Sequence, residues 1–127
     1  MKKIGLITMN KVLAQSLATQ IHNNPDLRFE PCLLNNPEQA LLDAEILNID
    51  LAVIEMTSGS PVDNEAVLSF CKKLRQTIPG CRLLLFVVQG DTASRNTAIH
   101  AMQNKIVDDF VFYDESLQYL LAKLGAL

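Results

Sequence analysis

The chain has 127 residues, 49% of them hydrophobic and 20% charged, which suits one domain over residues 1–127 with its own core and excludes a disordered segment. Its 11 basic and 14 acidic side chains leave a net charge of −3, and only Lys72, Lys73 and Arg75 cluster, so the basic face that nucleic acid calls for is missing. No apolar run approaches the roughly 20 residues needed to cross a bilayer, and the stretch from Ile4 to Ile7 is too short for a signal peptide before Asn10 and Lys11 end it, so a cytoplasmic protein is expected.

Lys3 to Thr8 (KIGLIT) is short and apolar and reads as a strand. Asn10 suits a helix cap, and Val12, Leu13, Leu17 and Ile21 follow at helical spacing until Asn23-Asn24-Pro25-Asp26 breaks the pattern. Arg28 to Leu34 is a second strand, and Pro31 gives it an edge position because proline cannot donate to the ladder. Pro37 suits the first turn of a helix running to Leu47. Asp50 to Met56 is a third strand, whose consecutive Leu51, Ala52, Val53 and Ile54 predict cover on both faces. After the loop Thr57 to Pro61, Asn64 to Thr77 reads as a helix with Val67, Leu68, Cys71 and Leu74 inward, closed by Pro79-Gly80. Arg82 to Val88 is the most continuous apolar strand, followed by a turn at Gln89-Gly90-Asp91. Thr92 to Lys105 is a helix with Ala98, Ile99 and Met102 inward. Val107 to Tyr113 is the last strand, and Ser116 caps a final helix from Leu117 to Leu124.

Five strands alternating with five helices through short connections imply a parallel α/β sheet with right-handed crossovers. Sites in such sheets form at the carboxyl ends of the strands. Those ends carry Thr8, Met9 and Asn10; Glu55, Met56 and Thr57; Val87, Val88 and Gln89; and Phe112, Tyr113 and Asp114.

The order, the length and these fragments resemble the receiver domain of two-component response regulators. KIGLI is similar to the family's first strand, but Thr8 and Met9 stand where the family has an acidic pair. Asp50-Leu51-Ala52-Val53-Ile54-Glu55 is similar to the strand ending in the phosphorylated Asp, with Glu55 at the acceptor position. Val87 takes the place of the family's Thr or Ser, with Gly90-Asp91 following. Asp108-Asp109-Phe110-Val111-Phe112-Tyr113 is similar to the fifth-strand motif, with Tyr113 in place of its Lys and Phe110 at the switch aromatic position. The resemblance implies a (βα)5 three-layer sandwich, flavodoxin-like, with strand order 2-1-3-4-5.

The substitutions bear on chemistry. Phosphoryl transfer to a carboxylate needs charge neutralisation and positioning. The family holds magnesium with its acidic pair and acceptor; a thioether is a poor ligand for that cation, and Thr8 adds one weak hydroxyl. Tyr113 is neutral near pH 7 and donates a single hydrogen bond. Val87 has no hydroxyl at all. The resemblance therefore implies a degenerate pseudo-receiver with no cofactor, metal or catalytic residue. It would act as a phosphorylation-independent interaction or dimerisation module in signalling or transcription regulation. Glu55 is then either a permanent mimic of the phosphorylated state or a leftover carboxylate.

Two alternatives stand beside this reading: a phospho-responsive receiver using Glu55 or another residue, and a small-ligand-binding α/β domain whose pocket takes an apolar or aromatic group. Receivers often pair through the fourth helix, fifth strand and last helix. The resemblance places Arg95, Lys105, Asp108, Asp109 and Lys123 there as candidate contacts with a protein partner or a second copy, with no direct nucleic-acid or membrane role. An effector unit after Leu127 would then carry any DNA-binding output. Cys32, Cys71 and Cys81 lack disulfide or zinc spacing and read as buried, inert thiols. His22 and His100 have no acidic or cysteine companions in helical register. Ser58-Gly59-Ser60 lacks the Gly-Lys-Ser/Thr ending of a phosphate loop, and no G-x-G-x-x-G follows the first strand.

Overall fold

The computed structural model describes residues 2–8, 10–34, 36, 38–56, 61–87, 92–112 and 117–126, excluding the side chains of 61–63 and 117–121. Ten elements alternate along the chain: β1 (Lys2–Ile7), α1 (Lys11–His22), β2 (Phe29–Leu33), α2 (Ala40–Leu47), β3 (Leu51–Met56), α3 (Pro61–Thr77), β4 (Arg82–Val87), α4 (Thr92–Gln103), β5 (Asp109–Phe112) and α5 (Leu117–Ala126). All four strand pairings are parallel, in the order β2-β1-β3-β4-β5. Pro31 lies on the edge strand, where its missing N–H leaves no central ladder broken.

Strand alternation divides the core. Ile4, Leu6, Leu51, Val53, Leu84, Phe86 and Val111 pack with Leu17 and Ile21 of α1 and Leu124 of α5. Ala52, Ile54, Met56, Leu83, Leu85 and Val87 pack on the other face with Ala40 and Ala44 of α2, Cys71 and Leu74 of α3, and Ala98 and Ala101 of α4. Both faces of β3 are buried, which is why its sequence is apolar without alternation. Gly5 of β1 lies against α2's side of the sheet: a Cβ there would stand 2.8 Å from Ile49 Cδ1 and 3.2 Å from Leu34 Cδ1.

Two carboxylates tie the amino end of the sheet. Asp50 accepts the Lys3 N–H at 2.8 Å. Asp108 accepts the Leu83 N–H at 2.8 Å and pairs with Arg75 at 2.9 Å and Arg82 at 3.4 Å, while Arg75 Nε donates to the Ile106 carbonyl.

Several expectations are corrected. The inward stripe of α1 is Ala14, Leu17 and Ile21; Val12 falls off that repeat and is 79% exposed. The stripe of α4 is Ser94, Ala98 and Ala101, so Met102 is exposed and Ile99 half-buried. That helix ends at Gln103 because Lys105 turns into the left-handed region at φ 58°. α3 starts at Pro61, which takes the first helical position, three residues before Asn64. α2 starts at Ala40; the expected start, Pro37, lies outside the described residues, as do Ser58-Gly59-Ser60, Gly90-Asp91 and the Ser116 cap. β5 starts at Asp109, two residues after the expected Val107, with Asp108 bonded to Leu83 of β4 through both its N–H and its side chain; the expected end, Tyr113, lies outside the described residues. Cys71 and Cys81 are buried, but Cys32 on the edge strand is only partly covered. No helix among the described residues is long and apolar enough to cross a membrane.

Candidate functional site at the carboxyl end of the sheet

Strand register builds this site. Leu6 pairs with Val53 and Ile7 with Ile54, so the next step sets Thr8 beside Glu55. Ile4, Leu6 and Thr8 share a face with Leu51, Val53 and Glu55, the α1/α5 face. The Thr8 hydroxyl donates to Glu55 Oε1 at 2.6 Å, and both residues are buried, Thr8 8% and Glu55 9% exposed. Thr8 Oγ1 accepts in turn from the Asn10 N–H at 3.0 Å. Asn10 is the N-cap of α1, its side chain accepting the Leu13 N–H. A chain of bonds thus runs from the start of α1 through Thr8 to the carboxylate at the end of β3.

Val87 pairs with Met56 and so follows the residue opposite Glu55. It is fully buried in the α2/α3/α4 cluster, against which Phe110 and Phe112 also pack. Those two rings lie on one face of β5, edge to face at 5.6 Å and 84°. Phe110 lines an open apolar depression with Ile99, Met102 and Gln103 of α4. Met9 and Tyr113 lie outside the described residues.

The structure therefore brings together Thr8 and Glu55, with Val87 on the neighbouring strand but on the opposite face. Among the described residues the donor set does not fit magnesium: it offers one carboxylate and a hydroxyl already donating to it, short of the oxygen ligands that cation demands. Among the described residues no three His, Cys, Asp or Glu side chains stand together as a metal site.

The candidate interface residues fall in three places. Arg95 is exposed on α4, and Lys105 is exposed in the turn just beyond that helix. Asp109 of β5 is bound to Lys123 of α5 at 2.6 Å, which pins the last helix to the edge strand. Asp108 lies at the amino end of the sheet, engaged with Arg75, Arg82 and the Leu83 N–H.

Sequence reasoning passed over a polar knot between the first turn of α3 and the first two turns of α4, with Asn64 and Ser94 buried and Thr97 half-buried. Ser94 Oγ donates to Asn64 Oδ1, and Asn64 Nδ2 donates to Thr97 Oγ1, each at 3.5 Å. Asn64 falls on the apolar stripe that leads to Val67, Leu68 and Cys71, and a polar residue on such a stripe was the available signal. Burial pushes the thiols of Cys71 and Cys81 up to about 12; Cys32 is raised less, by burial and then by Glu30.

No family model matches the chain, and no curated protein matches it. Solved structures do. A response regulator from Burkholderia pseudomallei with a phosphorylated aspartic acid superposes with a TM-score of 0.75 at 22% identity, over 98% of this chain and 66% of that one. The chain thus spans just under two thirds of that regulator's length. An orphan response regulator of H. pylori gives 0.76 at 19% identity, over 98% and 94%. A pilus assembly protein from Caulobacter crescentus gives 0.72 at 15% identity, over 99% and 98%. The chain has the receiver fold, with its five parallel strands in the order expected from the sequence.

Proposed function

We propose that the domain is a pseudo-receiver: a signalling module that works by binding protein, without being phosphorylated. The observation that carries this reading is the Thr8–Glu55 bond. At the position of the family's acceptor stands a buried carboxylate already engaged by a hydroxyl from the position of the acidic pair. Phosphoryl transfer to Glu55 would need its charge neutralised, and the described residues beside it, Thr8 and Val87, supply neither an acidic pair nor a cation. Val87, buried among apolar side chains, has no atom to bond a phosphoryl group. Glu55 sits instead in a bond chain that runs to the α1 cap, which suits a carboxylate that organises the end of the sheet.

The output surface in this reading is the face made by α4, β5 and α5. It carries exposed Arg95 and Met102, the half-buried ring of Phe110, and the Asp109–Lys123 pair, and it would meet a protein partner or a second copy. Among receiver-fold proteins, an orphan regulator and a pilus assembly protein share this architecture with a phosphorylated regulator, so the fold accommodates outputs of more than one kind. Incubation with acetyl phosphate and magnesium, read by intact mass, tests the proposal. An unmodified mass is expected; a stoichiometric phosphoryl adduct overturns it.

A further inference from the structure

The charges of this chain are segregated. Residues 29–71 hold eight carboxylates (Glu30, Glu38, Asp43, Glu45, Asp50, Glu55, Asp63 and Glu65) and no Lys or Arg. All 11 basic residues therefore lie outside that stretch, which leaves six acidic residues and a net +5 there. The acidic stretch includes α2, a helix apolar on nearly every side. Ala40 and Ala44 are buried, yet Leu42 and Ile46, one turn apart, are 56% and 70% exposed. An amphipathic surface helix hides its large apolar side chains; this one shows two, beside exposed Glu38 and Glu45.

The opposite edge of the same helical layer is its complement. α4 has no carboxylate, and Arg95, Ile99 and Met102 recur on one helical stripe, with exposed Lys105 just beyond its end. Ile99 and Met102 line the open depression with Gln103 and Phe110. α2 packs on the β1 side of the sheet and α4 on β4 and β5, with α3 between them. An acidic apolar ridge on α2 and a basic apolar groove at α4 and β5 thus lie on the same layer, separated by α3.

We propose that copies of this chain associate head to tail, α2 of one copy seating Leu42 and Ile46 in the α4–β5 groove of the next, with Glu38 and Glu45 facing Arg95 and Lys105. The inference rests on the reading of the domain as an interaction module, and names a second copy as the partner of the α4 edge. Because the two patches differ, the contact is heterologous: it extends into a ring or an open filament and does not stop at a two-fold dimer. The charged rim makes it sensitive to salt, since exposed pairs are screened at about 0.5 M ionic strength.

Light scattering over a micromolar to millimolar series at low salt tests this, using two surface variants. Glu45→Lys with Ile46→Lys spoils the ridge; Arg95→Glu with Met102→Glu spoils the groove. Wild type is expected to grow with concentration beyond a dimer at low salt and to shrink at high salt. Each variant alone is expected to weaken association at least about tenfold. A mixture of the two variants keeps one intact ridge and one intact groove, and is expected to form dimers and nothing larger. A monomeric wild type at millimolar concentration and low salt overturns the inference. So does a dimer that survives the ridge variant and is lost in Asp109→Lys, a result that leaves the interaction-module reading standing; a phosphoryl adduct removes that reading instead.

Discussion

Replacing Thr8 by Val isolates the bond at the centre of the site. The two side chains have nearly the same shape, so no cavity contributes, and only the hydroxyl is removed. Glu55, 9% exposed, loses a 2.6 Å donor, and the Asn10 N–H loses its 3.0 Å acceptor. A hydrogen bond to a charged group contributes about 1.5–3 kcal/mol, and water can replace little of it at this depth. The partly buried Asn10 N–H is more easily rehydrated and adds less. A loss of about 2–3 kcal/mol is expected, a large share of the about 5–15 kcal/mol that holds a typical domain. Urea denaturation followed by circular dichroism should show a lower midpoint at unchanged slope. Thr8→Ser keeps the hydroxyl and should lose less than the Val variant. A double-mutant cycle with Glu55→Met should return a coupling of at least about 1 kcal/mol. A Thr8→Val protein within about 0.5 kcal/mol of wild type, or a cycle with no coupling, would refute the claim that the hydroxyl holds the carboxylate.

Asp108→Ala removes the acceptor of the Leu83 N–H and the partner of Arg75, so a loss of about 2 kcal/mol is expected, seen by calorimetry as a fall in melting temperature of about 7 °C for a chain of this size. Gly5→Ala pushes a methyl against Ile49 and Leu34 in a filled layer, and should cost about 1–3 kcal/mol in the same assay. The buried thiols tie stability to alkaline pH. Their folded values lie above the ordinary 9.0, so the folded state keeps protons that the unfolded chain releases, and their contribution is full below pH 9 and lost as pH rises towards about 12. Cys71→Ala should make the decline between those values shallower by up to about 1.4 kcal/mol per pH unit, measured by urea titration at stepped pH. Cys32, partly covered, should react with a thiol reagent in the native protein well before Cys71 and Cys81.

The covered and edge positions of two strands were legible in their residues, LAVI in β3 covered on both faces and Pro31 in β2 at the edge, while the full strand order came from the resemblance to receivers. The place of Glu55 near the carboxyl end of β3 was legible too, from the run DLAVIE. The bond between Thr8 and Glu55 was not legible. It needs β1 and β3 to be neighbours with both side chains on one face, a relation across 47 residues that local pattern does not carry. The same limit hid Asp108, which looked like a surface charge of a fifth-strand motif and proved to be bound to α3 and β4. Helix faces misled where a stripe of alanines and serine packed inward, as in α4; small residues weaken the hydrophobic signal while allowing close approach, so Met102 was assigned to the core that Ala98 and Ala101 fill.

β4 has a cost that the finished fold conceals. Its run Leu83-Leu84-Leu85-Phe86-Val87 is uncharged, free of proline and apolar throughout, a composition that favours pairing between chains. In the native sheet β3 and β5 flank it, so its edges are occupied. During synthesis β5 emerges last, and until it docks, one side of β4 is open along its length. Arg82, bound to Asp108 when folding is complete, then stands as a lone charge at the head of that edge, a gatekeeper against aggregation of the newborn chain.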